Sequence, residues 1–357
     1  MDHSSRQRRL QADITAGAML VTHLPNIRYL CGFTGSSGVL LVTGRGERPV
    51  LFTDGRYSTQ ARAETSSTRI VIAKGPALLA AAQYARQRRL QSISVEAEHM
   101  TLATRTALRR ALSGKARLRE TRGTIEALRV IKDAAELALI RRAVDLGARL
   151  LDVALQSIRP GIAEADVAAE LEYAARRAGA EAMSFETIVA SGPRSALPHG
   201  RASSARIPSR GFVVLDFGVI LAGYCSDMTR TVHVGKVSAT ERSLYQAVRE
   251  AQEAATGAVK AGIACGQVDA SARRVLRRAG LARYFTHSTG HGVGLEIHEP
   301  PRLGRGQSDP LRAGMVVTIE PGAYVAGRGG VRIEDMVLVT ERGCDVLTPA
   351  PKDLIEL

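Results

Sequence analysis

Four acidic residues and one histidine interrupt apolar or glycine-rich segments in the second half of the chain. They are Asp216 in VVLDFG, Asp227 in SDMTRT, His291 in TGHGVG, Glu320 in VVTIEPG and Glu334 in VRIED. A carboxylate within a buried strand is costly unless it is paired or bound to a metal ion. Four carboxylates and one imidazole suit two hard divalent cations, and such a pair can activate water for hydrolysis. The sequence therefore predicts a fold that gathers these five residues around two metal ions.

Strand geometry makes this clustering testable. Side chains alternate between the two faces of a strand, so residues i and i+2 share a face. Asp227, Thr229 and Thr231 should therefore line one face of their strand. Arg332 and Glu334 should likewise share one face of the predicted strand that contains VRIED.

Three histidines, His287, His291 and His298, lie in the segment THSTGHGVGLEIHEPPR. The HxxxH spacing of the first two indicates a zinc site only on a helix, and the glycines disfavour a helix. Two prolines follow His298-Glu299, so the segment is not an HExxH zincin motif. It offers one ligand, His291, and the other imidazoles would act as proton donors or oxyanion partners, or simply pack in the case of His287. His199, alone in SGPRSALPHG, by itself indicates only a surface or a hydrogen-bonded core residue.

A length of 357 residues favours two domains. In the first third, short apolar runs alternate with helical patterns, which is typical of a small α/β domain. The predicted strands are AMLVTHL (18–24), GVLLVTG (38–44), PVLFTD (49–54), RIVIA (69–73) and SISVEA (92–97). The predicted helices are SSRQRRLQADI, STQARAE, ALLAAAQYARQRRL and TLATRTALRRAL, with Asp54 and Thr101 as candidate N-caps. This pattern ends near RETRGTIE (119–126), so the first domain is predicted to span 1–123.

Residues 124–357 have the pattern of an α+β domain with helices packed on one face of a sheet. The segment IEALRVIKDAAELALIRRAVDLGARLLDVALQSI is predicted to form one long helix that ends at Arg159-Pro160-Gly161. The other predicted helices are ADVAAELEYAARRAG, with Gly179 near its C-cap, ERSLYQAVREAQEAATGAV and QVDASARRVLRRAG. The predicted strands are TIVAS, FVVLDFG, MTRTVHV, MVVTIEP, VRIEDMVLV and CDVLT.

Composition limits location and partners. The chain is 45% hydrophobic and has no run of about 18 apolar residues, so no membrane span is expected. Its start, MDHSSRQRRL, lacks the apolar stretch of a secretory signal. The four scattered cysteines lack CxxC spacing, which favours free thiols in a cytoplasmic protein.

The positive charge is concentrated in the first domain. Residues 1–123 carry 20 Lys and Arg against 8 Asp and Glu, whereas residues 124–357 carry 29 against 27. Clustered arginine can neutralise nucleic-acid phosphates. However, the 43 Arg against 6 Lys indicate a compositional bias, and the absence of Trp leaves few base-stacking groups. We therefore do not expect nucleic acid as a partner.

The residues described above make the sequence resemble the pita-bread metallopeptidases, in particular the Xaa-Pro aminopeptidases and the Xaa-Pro dipeptidases (prolidases). NIRYLCGFTGSSG and FTDGRY resemble the N-terminal domain of that family. The motifs that resemble its catalytic domain, in order, are IVASGPRSALPHG, VVLDFG, GYCSDMTRT, STGHGVGLEIHEPP, IEPG and VRIED. The resemblance implies a creatinase-like N-terminal α/β domain at 1–123 and a pita-bread α+β catalytic domain at 124–357.

The resemblance also implies roles for the five candidate ligands. Asp216 matches the acid that chelates one metal ion, and Asp227 and Glu334 match the carboxylates that bridge both ions. His291 and Glu320 match the ligands that complete the second ion. Glu320 also matches the residue proposed to take the proton from the metal-bridging water.

Further matches concern the substrate. His199 and His298 match histidines that contact the substrate and steady the tetrahedral intermediate, and His287 lies beside them in the motif. Arg332 matches an arginine that supports the site. Arg302 matches a position where some prolidases place an arginine for the free carboxylate of the dipeptide, although a solvated loop arginine is an equal alternative.

The function implied is that of a metal-dependent exopeptidase that cleaves the N-terminal Xaa-Pro bond. Our first interpretation is an Xaa-Pro aminopeptidase, and the alternative is an Xaa-Pro dipeptidase. Carboxylate-rich ligation favours two Mn²⁺ ions, although Co²⁺ or Zn²⁺ also fit. By resemblance, the N-terminal domain implies a homodimer.

Three other classes of protein fit less well. A non-catalytic binding module and the metal-free creatine hydrolases lack ligands that this chain retains. The N-terminal domain and the ALPHG and HEPPR contexts argue against a methionine aminopeptidase.

Overall fold

The computed structural model describes residues 1–14, 17–44 and 46–357. They form two compact units, Met1–Arg129 and Val130–Leu357. Residues just beyond 123 belong to the first unit because they bond within it. The Asn26 side-chain amide donates to Glu126 at 2.6 Å, and the Tyr29 hydroxyl donates to the Leu128 carbonyl at 3.1 Å. The domain ranges 1–123 and 124–357 stay predictions.

In the described part of the chain, the first unit contains a mixed six-stranded sheet in the order β4-β3-β2-β1-β5-β6. Its strands are β1 (Ala18–Val21), β2 (Val39–Thr43), β3 (Val50–Asp54), β4 (Arg69–Ala73), β5 (Ser92–Glu96) and β6 (Arg117–Thr121). Its helices are α1 (His3–Asp13), α2 (Leu24–Cys31), α3 (Ser58–Glu64), α4 (Ala77–Gln87), α5 (Leu102–Ala111) and α6 (Glu126–Arg129). Strand β1 pairs antiparallel with β2 and parallel with β5.

The predicted strands and helices of this α/β unit are confirmed, and so are both caps. Asp54 accepts from the Arg56 backbone at the start of a short 3₁₀ turn, and Thr101 accepts from Thr104 at the start of α5. The sequence prediction did not include α2 or β6. Strand β6 lies at the sheet edge, where its charged residues face solvent and mask the usual apolar signal.

The second unit is built from helices and antiparallel strands, which confirms the α+β prediction. Its helices are α7 (Ala134–Ser157), α8 (Glu164–Arg177), α9 (Ala239–Ala258) and α10 (Cys265–Arg278). Its strands are β7 (Ala182–Met183), β8 (Ile188–Ser191), β9 (Gly211–Phe217), β10 (Val219–Leu221), β11 (Tyr224–Cys225), β12 (Met228–Val234), β13 (Gly290–Gly292), β14 (Glu299–Leu303), β15 (Val316–Ile319), β16 (Gly322–Val325), β17 (Gly329–Arg332), β18 (Asp335–Val339) and β19 (Cys344–Val346). In the described part of the chain, every helix is too short or too polar to cross a membrane.

Two helix pairs cover the sheets that carry the candidate ligands. Helices α7 and α8 bury residues such as Leu150 and Leu171 against Leu215 of the β12-β9-β8 sheet. Helices α9 and α10 bury Val248 and Val268 against the β14-β13-β15-β18-β19 sheet. One face of each sheet is thereby buried under a helix pair.

Two element predictions were wrong. The long helix predicted from residue 125 is interrupted at 130–133, where Asp133 instead starts α7 with a capping box to Glu136. The strand predicted over VRIEDMVLV is divided between β17 and β18, which belong to different sheets. Glu334 therefore lies at the junction of two strands.

The capping box of α9 makes a stability prediction. The Ser238 hydroxyl accepts from the Glu241 backbone at 3.3 Å, and Glu241 accepts from the Ser238 backbone at 2.7 Å. We expect Ser238→Ala to lower the free energy of unfolding by about 1 kcal/mol, because it removes the cap. Urea unfolding followed by circular dichroism measures this. Ser243→Ala, on the exposed face of the same helix, is the control, and equal effects of the two changes would contradict the role of the cap.

Candidate metal centre

The second unit gathers the predicted ligands around the imidazole of His291. Ligand atoms of Asp227, His291 and Glu334 all lie within 4.8 Å of one another. The His291 Nε2 atom is 3.6 Å from Asp227 Oδ2 and also 3.6 Å from Glu320 Oε1. Residues that are more than 100 positions apart in the chain thus converge on one point.

Strand pairing explains how the carboxylates meet. Asp216 in β9 is the direct partner of Thr229 in β12, and Asp227 immediately precedes β12. Glu334 is anchored by its backbone N–H, which donates to the Thr229 carbonyl at 3.1 Å. Glu320 directly follows β15, and its N–H donates to the Thr289 carbonyl at 2.8 Å.

The glycines that flank His291 allow β13 to lie close to its neighbours. A Cβ atom on Gly290 would lie 1.9 Å from the Thr318 carbonyl oxygen, and one on Gly292 would lie 2.2 Å from the Pro300 oxygen. Both distances are too short for any side chain. The TGHG pattern is therefore a packing requirement of the strand that presents the imidazole.

Thr229 links two of the predicted site residues. Its hydroxyl donates to Glu334 Oε2 at 2.6 Å and accepts from Arg332 Nε at 3.1 Å. Thr231 donates to the Arg332 carbonyl at 2.8 Å. The predicted alignment of Thr229 with Thr231, and of Arg332 with Glu334, is confirmed by these contacts.

Arg332 is buried and holds several groups at once. Its guanidinium donates to Asp216 Oδ2 at 2.5 Å, to the Tyr324 hydroxyl at 2.6 Å and to the Pro198 carbonyl at 3.0 Å. Pro198 immediately precedes His199, so Arg332 also fixes the backbone next to that histidine. One positive charge therefore partly offsets the group of acids.

The acids are crowded enough to resist ionisation. Burial, followed by the Glu334 and Asp216 charges, raises the pKa of Asp227 well above its usual range. Burial, followed by the Glu320 and Asp216 charges, does the same to the pKa of Glu334. Burial also raises the pKa of Glu320 to about 8. Divalent cations would remove this repulsion.

The tautomer of His291 suits a metal ligand. Its Nδ1 lies 3.0 Å from the Gly292 carbonyl, which can only accept, so Nδ1 carries the proton and Nε2 keeps its lone pair facing the carboxylates. Burial lowers the pKa of His291 to about 4, which keeps the ring neutral. In addition, Asp216 Oδ1 is buried and has no hydrogen-bond partner among the described residues. These observations fit a divalent metal site.

The other histidines border the cluster. His287 Nδ1 lies 2.8 Å from the Ser288 carbonyl, and its Nε2 lies 2.8 Å from the Tyr324 hydroxyl. Because that hydroxyl accepts from Arg332, its own proton donates to His287. Burial, and next the Arg332 charge, lowers the pKa of His287 to about 4, so this ring is neutral and fixed in orientation.

His298 and His199 are exposed at the same place. The His298 ring lies 4.4 Å from the His291 ring. Partial burial of the ring, followed by the nearby His199, lowers the pKa of His298. Arg302 is also exposed, and it is the direct partner of His291 in the pairing of β13 with β14. The structure thus places Asp227, Glu320, Glu334, His298 and Arg302 beside His291, whereas the chemical roles of all the predicted site residues stay predictions.

Sequence reasoning missed two buried groups. Tyr324 joins His287 to Arg332, and its position in IEPGAY, four residues after Glu320, was the available signal. Lys132 pairs with Glu299 at 3.1 Å with both side chains almost fully buried. A lysine outside any apolar face gives no such signal in the sequence.

Comparison with known proteins agrees with this geometry. Residues 138–341 match metallopeptidase family M24, and residues 5–131 match the creatinase/prolidase N-terminal domain. An Xaa-Pro dipeptidase from Bacillus anthracis superposes with a TM-score of 0.95 at 39% identity, covering 100% of this chain and 99% of that one. An X-Pro aminopeptidase from Thermotoga maritima gives a TM-score of 0.91 at 35% identity, covering 98% and 100%. The Xaa-Pro dipeptidase of Pyrococcus horikoshii is 42% identical over 247 residues, 68% of this chain and 70% of that protein.

The fold and the donor set define a metallopeptidase with a pita-bread catalytic domain and a creatinase-like N-terminal domain. The chain belongs to metallopeptidase family M24. The family implies divalent metal ions as cofactors, which the residues around His291 fit.

Proposed function

We propose that the protein is an Xaa-Pro dipeptidase that uses two divalent metal ions. The observation that carries this proposal is the position of Arg302, which is paired with His291 across β13 and β14. Side chains of directly paired antiparallel residues lie on the same face of the sheet, about 5 Å apart at Cβ. A guanidinium beside the hydrolytic centre is suited to hold the carboxylate of a dipeptide, and Arg binds carboxylates bidentately.

The relatives named as dipeptidases favour this alternative over our first interpretation, the Xaa-Pro aminopeptidase. Aminopeptidase activity remains the second candidate. It is favoured by the Thermotoga maritima neighbour, and by a cavity beside Arg302 that offers room for a longer peptide.

We assign the metal ions to Asp216, Asp227, His291, Glu320 and Glu334. The carboxylate-rich set favours Mn²⁺ over a thiolate-type zinc site. When bound, such a pair lowers the pKa of a water molecule and polarises the scissile carbonyl.

The chain supplies the remaining chemistry. Glu320 accepts the proton that the attacking water gives up, since its carboxylate lies next to His291 among the candidate metal ligands. His199 and His298 face solvent beside the cluster, where they can donate to the substrate and to the developing oxyanion. Arg332 keeps Asp216 and Tyr324 in place. A proline nitrogen in a peptide bond has no N–H, so this site needs no acceptor for one.

The direct test is a peptide series. Purified metal-free protein with added Mn²⁺ should hydrolyse Ala-Pro with a higher kcat/KM than Ala-Pro-Ala or longer peptides. A preference for the longer peptides would favour the aminopeptidase, and activity on methionine-initiated peptides alone would contradict both.

Arg302→Ala separates the two candidates further. Losing a hydrogen bond to a charged group costs about 1.5–3 kcal/mol, so kcat/KM for Ala-Pro should fall by about 10- to 100-fold. The loss for Ala-Pro-Ala should be much smaller, because its proline carboxyl group is a neutral amide. Equal losses on the two peptides would remove the argument for a carboxylate-binding arginine. Arg342→Ala, an exposed arginine far along the chain, controls for net charge.

The homodimer and the cytoplasmic location are likewise proposals that rest on the family resemblance and the sequence composition. Sedimentation equilibrium should give twice the monomer mass.

A further inference from the structure

A cavity of about 530 Å³ adjoins the proposed substrate site in the second unit. Its lining includes His287 and Ser288 on one side and Arg302, Gly304 and Arg305 on the other. This volume falls in the range of small-molecule sites and exceeds what one carboxylate needs. A Cβ atom on Gly304 would lie 3.6 Å from Arg302 Nε, so the glycine keeps the space beside that side chain open.

The charges of the cavity are unbalanced. Its lining contains four arginines and neither aspartate nor glutamate. Arg273 is neutralised by Asp269 at 2.7 Å, and Arg283 donates to the Tyr284 hydroxyl at 2.6 Å. Arg302 and Arg305 are both exposed, and neither side chain has a hydrogen bond or ion pair with the described residues. Two guanidinium groups are thus available to a ligand.

The two arginines lie close together in the chain. Three residues span at most about 11 Å, and the strand ends at Leu303, so the Cα atoms of Arg302 and Arg305 are no farther apart than this. Arg302 is the nearer of the two to His291, its strand partner. Because the proposed function places the carboxyl group of proline at Arg302, a residue that follows proline would enter the cavity that Arg302 and Arg305 line.

We propose that Arg305 binds the side-chain carboxylate of the third residue of Xaa-Pro-Glu and Xaa-Pro-Asp tripeptides. This inference rests on the proposed function, since it extends the same substrate site by one residue. Arg302 keeps the role of binding the carboxylate of a dipeptide, and the side-chain carboxylate of the third residue is the anion that Arg305 binds. Arg305 is therefore a specificity-determining residue, whereas the bond that is hydrolysed is the same Xaa-Pro bond.

The test compares two nearly isosteric substrates, Ala-Pro-Glu and Ala-Pro-Gln, with Mn²⁺-loaded protein. We expect a five- to tenfold higher kcat/KM for Ala-Pro-Glu in the unmodified protein. Arg305→Ala should reduce this ratio to about one, and Arg305→Lys should restore part of it. Arg342→Ala should leave the ratio as it is, since it removes an equal charge elsewhere.

Binding of the products provides a measurement that does not depend on turnover. Titration calorimetry with Pro-Glu and Pro-Gln should show the same preference for the acidic dipeptide and the same loss of it in Arg305→Ala. Equal binding and equal turnover of the acidic and amide peptides would overturn the inference, while Ala-Pro hydrolysis would still support the dipeptidase. Failure to hydrolyse any Xaa-Pro peptide would instead contradict the proposed function. The relative binding of Pro-Glu and Pro-Gln would then show by itself whether the cavity prefers an acidic residue.

Discussion

Glu320→Gln should reduce kcat for Ala-Pro by about 10²- to 10⁴-fold, the usual contribution of a positioned proton acceptor. Glutamine retains the shape of the side chain but cannot accept the proton, and it is a weaker ligand for a hard cation. Glu320 lies 3.6 Å from His291 Nε2, so this change falls at the centre of the cluster. Turnover is measured at saturating Mn²⁺ in order to separate proton transfer from metal affinity.

The same variant should fold normally. In metal-free protein, burial keeps the Glu320 carboxyl group protonated near neutral pH, so replacing it with a neutral amide leaves the charge of the site unchanged. The melting temperature of metal-free Glu320→Gln should equal or exceed that of the unmodified protein. Glu341→Gln, an exposed acid of the same unit, is the matched control and should keep full activity. Activity within tenfold of the unmodified protein would rule out Glu320 as the proton acceptor.

Chelation should abolish activity reversibly, and addition of Mn²⁺ should restore it. In the metal-free protein, burial and then the charges of nearby carboxylates raise the pKa values of Asp227 and Glu334. At about 100 times its dissociation constant, a bound ion adds about 2.7 kcal/mol to the free energy of unfolding. Asp227→Asn should fail to regain activity under the same conditions, and full activity of metal-free protein would contradict a metallopeptidase mechanism.

Metal binding should also release protons. The folded pKa of Glu320, about 8, exceeds the value near 4.3 in an unfolded chain, so the folded metal-free protein binds the additional proton. The contribution of Glu320 to the free energy of unfolding is fully present below about pH 4.3 and is lost as the pH rises towards 8. Mn²⁺ replaces that proton, so calorimetry at pH 7 in buffers of different ionisation enthalpy should detect about one proton or more per protein. Binding of Mn²⁺ without proton release would show that the carboxylates are already ionised in the metal-free protein.

Much of this centre could be predicted from the sequence, because local patterns carry the necessary information. The acid after FVVL and the acid after MVVTI each interrupt an apolar strand, where a carboxylate requires a partner. The glycines around His291 mark a place where the backbone must approach its neighbours. Each of these signals lies within a few residues, so no knowledge of distant pairing was needed.

One failure had a local cause, and the other arose where distant strand pairing decided the structure. Asp133 ends the continuous helical pattern because its side chain caps α7. VRIEDMVLV has one uninterrupted strand pattern, yet its two halves pair with β16 and β15 in different sheets. Strand partners are set by packing across the whole unit, and the sequence of one strand does not name them.

The sequence by itself identified the candidate metal-binding residues and predicted the two-part α/β and α+β architecture and a requirement for divalent cations. Only the tertiary structure decided how the residues act on one another: Tyr324 orienting His287, Thr229 holding Glu334, and Arg302 placed beside His291. The reason is physical, because residue type and spacing fix local conformation and donor chemistry. The pKa of each acid and the direction of each hydrogen bond depend on neighbours that are brought together by folding alone.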